Sequence, residues 1–89
     1  MNIIQIMDIL TPLELKLLVT VRDQGFTDGD LVRGYVTENY THTDGMQFNM
    51  KQLRGVMSSL VKKNIIAVSE DNFIHVIDSK INDFLIRGE

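Results

Sequence analysis

The chain has 89 residues, 44% of them hydrophobic and 24% charged, with a formal net charge of −3. That is the make-up of an ordinary soluble globular chain with room for one domain and a modest core, so most of its apolar side chains must point inward. The absence of cysteine excludes disulfides and thiolate metal sites and fits a reducing compartment such as the cytoplasm. No apolar run approaches the ~20 residues that span a bilayer, and the net acidity excludes a chain that coats nucleic acid with a uniformly basic surface.

In chain order, Met1 to Leu10 is apolar but has neither a basic leader nor a small-residue cleavage site, so it is not expected to act as a signal peptide. Ile3, Ile6, Met7 and Leu10 share one helical face, which predicts a short helix with Ile4 and Ile9 off that face. Thr11-Pro12-Leu13-Glu14 predicts the start of a second helix: the Thr hydroxyl caps, Pro sits where its missing N–H is not needed, and Glu completes a capping box. Gly25 ends it. The apolar residues Leu13, Leu15, Leu17, Leu18, Val19 and Val21 cover most of that helix and leave Lys16, Thr20 and Asp23 as the wet stripe, as expected of a helix packed from two sides.

Phe26 reads as one rung of a short strand, and Thr27 with Asp30 as another cap. Leu31, Val32, Tyr35 and Val36 then recur at helical spacing, predicting a further helix to about Glu38. Residues Asn39 to Gln47 are polar, with Asp44-Gly45 as a turn signal, and Asn49 with Gln52 forms a third cap. After Asn64, a left-handed stop, the β-branched runs Ile65–Val68 and Phe73–Ile77 flank the polar Ser69-Glu70-Asp71-Asn72 and predict a hairpin. Ser79 is expected to cap a last short helix carrying Ile81, Phe84 and Leu85.

The most informative stretch is the helix predicted from Asn49 to Lys63. At about 100° per residue, Met50, Leu53, Val56, Met57, Leu60 and Val61 fill one arc, and Lys51, Arg54, Gly55, Ser58 and Lys62 fill the opposite one. The segment from Met46 to Ser69 holds four of the nine Lys and Arg residues and none of the twelve carboxylates. Surface helices usually mix signs and gain i,i+4 pairs, so one-signed charge here points to an anionic partner. Gly55 adds to this: a helix-interior Gly costs ~1 kcal/mol relative to Ala, and within a basic arc it permits close approach of a backbone. The alternative is a solvated face whose cations only keep the helix wet.

The order helix, short strand, helix, basic helix, hairpin is that of a winged helix. The run Gln52-Leu53-Arg54-Gly55-Val56-Met57-Ser58-Ser59-Leu60-Val61-Lys62-Lys63-Asn64-Ile65-Ile66 resembles the recognition helix and first wing strand of MarR-like winged-helix proteins, in particular small single-domain versions encoded by bacteriophages. With Leu13 to Val21 as the matching first helix, the resemblance covers roughly residues 11 to 77. It implies a mainly α winged helix-turn-helix fold, with a three-helix core, a small β-hairpin wing and short terminal segments. It also implies a transcriptional regulator that binds double-stranded DNA without chemistry. The candidate DNA-binding residues are Lys51, Gln52, Arg54, Gly55, Ser58, Ser59, Lys62 and Lys63. Arg54 is suited to a guanine edge, the three lysines to phosphates, and Gln52, Ser58 and Ser59 to secondary polar contacts. MarR-like wings present basic residues, whereas this turn carries Glu70 and Asp71, so the wing is expected to add little.

His42, His75 and Asp44 lie in different predicted elements with no recognised ligand spacing, so no metal or other cofactor is expected. There is no cysteine, no phosphate-binding glycine loop, and no Ser and His in a known catalytic context, so no enzyme activity is expected. The apolar residues of the first ten positions, with Ile81, Phe84 and Leu85, either close the core or pair two copies as a homodimer, and the second is favoured. The rival function is a winged-helix module that binds a protein, such as a host factor, through its acidic surface or terminal apolar patch.

Overall fold

The computed structural model describes residues 3–28, 31–36 and 48–88. Within them, four helices and four strands follow one another as α1 (Ile3–Ile9), α2 (Pro12–Gln24), β1 (Phe26–Asp28), β2 (Leu31–Tyr35), α3 (Met50–Lys62), β3 (Ile66–Val68), β4 (Phe73–Val76) and α4 (Ser79–Arg87). The chain is thus small and mainly helical, with one antiparallel sheet.

Local chemistry accounts for most element ends. The α2 capping box forms as its residues dictate: Thr11 Oγ1 accepts from the Glu14 N–H at 3.2 Å, and Glu14 Oε1 accepts from the Thr11 N–H at 2.7 Å. Asn49 and Gln52 repeat the device at the start of α3, and Asn64 stops the following turn at φ 60°. Gly25 closes α2 because nothing larger fits. A Cβ there would lie 2.5 Å from the carbonyl oxygens of both Val21 and Arg33, so α2 meets β2 at backbone contact. The last helix is capped one residue earlier than expected, by Asp78, whose Oδ1 accepts from the Ile81 N–H at 2.9 Å.

The sheet has the order β1-β2-β4-β3, every neighbour antiparallel. The expected hairpin is present as β3 and β4, but β4 also pairs with β2, in the register Arg33↔His75 and Tyr35↔Phe73. The helix expected from Leu31 to about Glu38 is therefore a strand over Leu31–Tyr35. Val32 and Gly34 turn inward, Leu31 and Tyr35 are exposed, and partners on both sides satisfy its backbone. The expected Thr27–Asp30 cap is likewise replaced, because Thr27 lies within β1 opposite Val32. The three-helix core of a helix-turn-helix thus lacks its middle helix among the described residues. Residues 37–47, with His42 and the Asp44-Gly45 turn signal, lie outside them.

One apolar cluster joins the elements. Leu17, Leu18 and Val21 of α2, Leu53, Val56, Met57 and Leu60 of α3, and Ile81 and Leu85 of α4 meet Val32, Ile66, Ile74 and Val76 on one sheet face. Ile6 and Leu10 belong to the same cluster, so the terminal segments are part of the core and not appendages to it. Two polar contacts fasten the end of the chain: Asn82 Oδ1 accepts from the Val32 N–H at 3.0 Å, and Arg22 Nη1 donates to the Leu85 carbonyl at 3.1 Å. Thr20, expected on the wet stripe, is fully buried; α2 is covered on that side too, and the hydroxyl returns its hydrogen to the Lys16 carbonyl at 2.7 Å.

Candidate nucleic-acid interface

The amphipathic pattern of α3 places Leu53, Val56, Met57 and Leu60 in the core and sets Lys51, Gln52, Arg54, Gly55 and Ser58 in solvent, with Lys62 beyond them. Lys51, Arg54, Gly55, Ser58 and Lys62 follow the i, i+3, i+4, i+7 rule and form one stripe along the helix. Lys51 and Lys62 are about three turns apart, or about 16 Å along the axis. No ion pair to Lys51, Arg54 or Lys62 is found among the described residues. A Cβ built at Gly55 meets nothing within 4 Å, so no packing among the described residues accounts for a glycine in the middle of this face. The Gln52 side chain is partly engaged, its Oε1 accepting from the Asn49 N–H at 3.2 Å.

The remaining two candidates sit elsewhere. Ser59 and Lys63 lie one row round the helix and turn toward α2, where they meet Glu14. Ser59 Oγ donates to Glu14 Oε2 at 2.6 Å, and Lys63 Nζ donates to Glu14 Oε1 at 2.7 Å and to the Ile9 carbonyl at 2.9 Å. The Glu14 side chain is 2% exposed and that of Lys63 36%. Burial pushes the Glu14 carboxyl up, but hydrogen bonds from Lys63, Ser59 and the Thr11 N–H, with the charge of Lys63, outweigh it and hold the group below its ordinary value. The carboxylate thus ties the end of α1, the start of α2 and the last turn of α3 together. The capping-box spacing marked Glu14 as an N-terminal residue of α2, but its long-range partners carry no signal in local spacing.

The hairpin next to α3 is acidic where it turns. Glu70 and Asp71 are exposed in a four-residue connection closed by Ser69, whose N–H and hydroxyl both donate to the Phe73 carbonyl, at 2.9 and 3.0 Å. On the sheet face turned away from the helices, Tyr35 and Phe73 pack with ring centroids 4.7 Å apart. Among the described residues, no group of three His, Asp or Glu side chains is placed to hold a metal ion, and no helix is long and apolar enough to cross a membrane.

The described elements define a small α/β domain in which α2, α3 and α4 pack on one face of an antiparallel sheet, and α3 presents its cations outward. Comparison of the chain with protein-family models, with curated proteins and with solved structures returns no match.

Proposed function

We propose that the chain is a double-stranded-DNA-binding transcriptional regulator of the MarR-like winged-helix kind, with α3 as its recognition helix and the β3–β4 hairpin as its wing. The observation that carries this reading is the exposed, one-signed stripe of Lys51, Arg54 and Lys62 around Gly55, on a chain that is acidic overall. The ~12 Å width of the major groove lies within the span of the two end lysines, so each reaches a different phosphate wall. Arg54 at the centre is then the residue aimed at a base edge, where a guanidinium bonds guanine in bidentate fashion. Ser58 and the free amide N–H groups of Gln52 supply secondary polar contacts, and Gly55 lets the helix backbone approach closely. Binding alone, by occupying a promoter, accounts for regulation without chemistry.

Salt dependence of binding to a duplex of random sequence tests this. Two phosphates neutralised per protomer predict a slope of log K against log salt of about −2 for a monomer and about −4 for a dimer. Lys51→Ala or Lys62→Ala should each flatten the slope by about one per protomer, and Arg54→Ala should cost ~1–3 kcal/mol on a preferred site. Absence of salt-dependent binding to any duplex would overturn the reading.

A second reading, a protein-binding module, is favoured by the acidic turn at Glu70 and Asp71 and by Ile4, which is 72% exposed on α1. It predicts duplex-independent activity that survives Lys51→Glu with Arg54→Glu. The same outward residues of α1 are where we propose that two copies meet. Ile6 is in the core, so the variants that test a dimer are Ile4→Asp and Met7→Asp, and sedimentation of the wild-type chain as a monomer at micromolar concentration would overturn it.

A further inference from the structure

Four cations lie on or next to α3, and three of them, Lys51, Arg54 and Lys62, stand clear of any acid among the described residues. Lys63 follows Lys62 in the chain, one row round from the basic stripe, and its ammonium is spent on Glu14 and on the Ile9 carbonyl. Glu14 is an unusual partner because it is almost wholly buried, fills one oxygen with Ser59 and the other with Lys63 and the Thr11 N–H, and lies on a different helix. The same carboxylate removes both a hydroxyl and a charge from the row next to the stripe.

We propose that Glu14 is a positioning residue that limits DNA affinity: a built-in competitor that occupies Ser59 and Lys63 and so keeps Lys63 as a latent phosphate ligand. This rests on the DNA-binding reading of α3. Phosphate contacts supply affinity that is blind to sequence, while base contacts supply discrimination. Withholding one cation per protomer lowers binding to every duplex alike and leaves the contribution of Arg54 untouched, so it sets overall affinity and salt dependence and not the ratio of specific to non-specific binding. Glu14 touches no DNA in this scheme; it acts through Lys63.

Two measurements on the full chain test it. In the first, lysines are acetylated with a limiting reagent in the absence of DNA and followed by mass spectrometry. Lys63 should react several-fold more slowly than Lys51 and Lys62, and Glu14→Gln should bring its rate up to theirs. Equal rates in the wild-type chain would overturn the proposal whatever the chain does to DNA. In the second, duplex binding is titrated against salt. Glu14→Gln should steepen the slope of log K by about one per protomer, and adding Lys63→Met to it should remove the increase. An unchanged slope in a folded Glu14→Gln chain, as a purely structural role for Glu14 would give, overturns the proposal. So does a flatter slope in Lys63→Met by itself, which would put Lys63 on a phosphate already. Slow acetylation of Lys63 in a chain that binds no duplex would instead sink the DNA reading while leaving the sequestration of Lys63 supported.

Discussion

Asn82 of α4 takes the place of a strand for Val32: its Oδ1 accepts the Val32 N–H at 3.0 Å, one residue beyond the last β2–β4 pair at Arg33↔His75. Both groups are buried, so each satisfies the other where water has no access. Asn82→Leu keeps the bulk but leaves the N–H without an acceptor, which costs about 1–3 kcal/mol. Urea denaturation should show a lowered midpoint with little change in slope, and hydrogen exchange at Val32 should quicken more than at the neighbouring strand amides.

Gly55→Ala should move stability and binding in opposite directions. The helix gains about 1 kcal/mol of propensity, and the added methyl meets nothing among the described residues, so the melting temperature should rise. If α3 lies close against a DNA backbone, the same methyl intrudes there and duplex affinity should fall. A variant that is more stable and binds equally well would remove Gly55 from the interface.

Gly25→Ala has no such freedom. A Cβ at 2.5 Å from two carbonyl oxygens forces the end of α2 away from β2, and overpacking of this kind costs about 1–3 kcal/mol. The contrast between the two glycines, measured side by side by thermal melting, checks that one is held by the fold and the other is not.

Acid should weaken the chain through Glu14. Its pKa is lowered in the folded state from an ordinary value of 4.5, so its contribution is fully present above the ordinary value and is lost as pH falls through the lowered one. Stability measured by urea should therefore drop below about pH 4.5, and the drop should be shallower in Glu14→Gln. Lys63→Met should be the more damaging change at neutral pH, because it strands a buried carboxylate. Breaking a buried pair costs ~3–5 kcal/mol, and the partial exposure of Lys63 reduces this to roughly 2.

What the sequence makes legible here is what neighbours in the chain decide. The two capping boxes, the amphipathic face of α3, the left-handed stop at Asn64 and the β-branched runs of the hairpin all rest on contacts within a few residues. The misassigned segment is the one whose pattern fits two periods. Leu31, Val32, Tyr35 and Val36 satisfy a helical spacing, yet Val32 and Gly34 alternate inward as a strand requires, and pairing with His75 and Phe73 decides between them. The connection itself held a clue, since Gly29-Asp30 between the paired Asp28 and Leu31 is a dipeptide that short hairpins favour. For the interface, Lys51, Arg54, Gly55, Ser58 and Lys62 are placed on one exposed face as the helical spacing implies. Ser59 and Lys63 lie on the next row round the helix, and local spacing gives no sign that a carboxylate 45 and 49 residues away in the chain lies beside them.

The position of β4 between β2 and β3 has a consequence for the life of the chain on the ribosome. Synthesis delivers α2, β1 and β2 well before the strand that completes the inner side of β2 and the helix that covers α2, which come from residues 73–87. Until they emerge, Leu17, Leu18 and Val21 have no complete cover, and pairings so distant in sequence form slowly. A nascent chain that already carries the basic helix is thus still an unfinished fold, exposed to chaperones and proteases. On the DNA-binding reading, the basic helix is fully supported only once β4 and α4 have joined the fold.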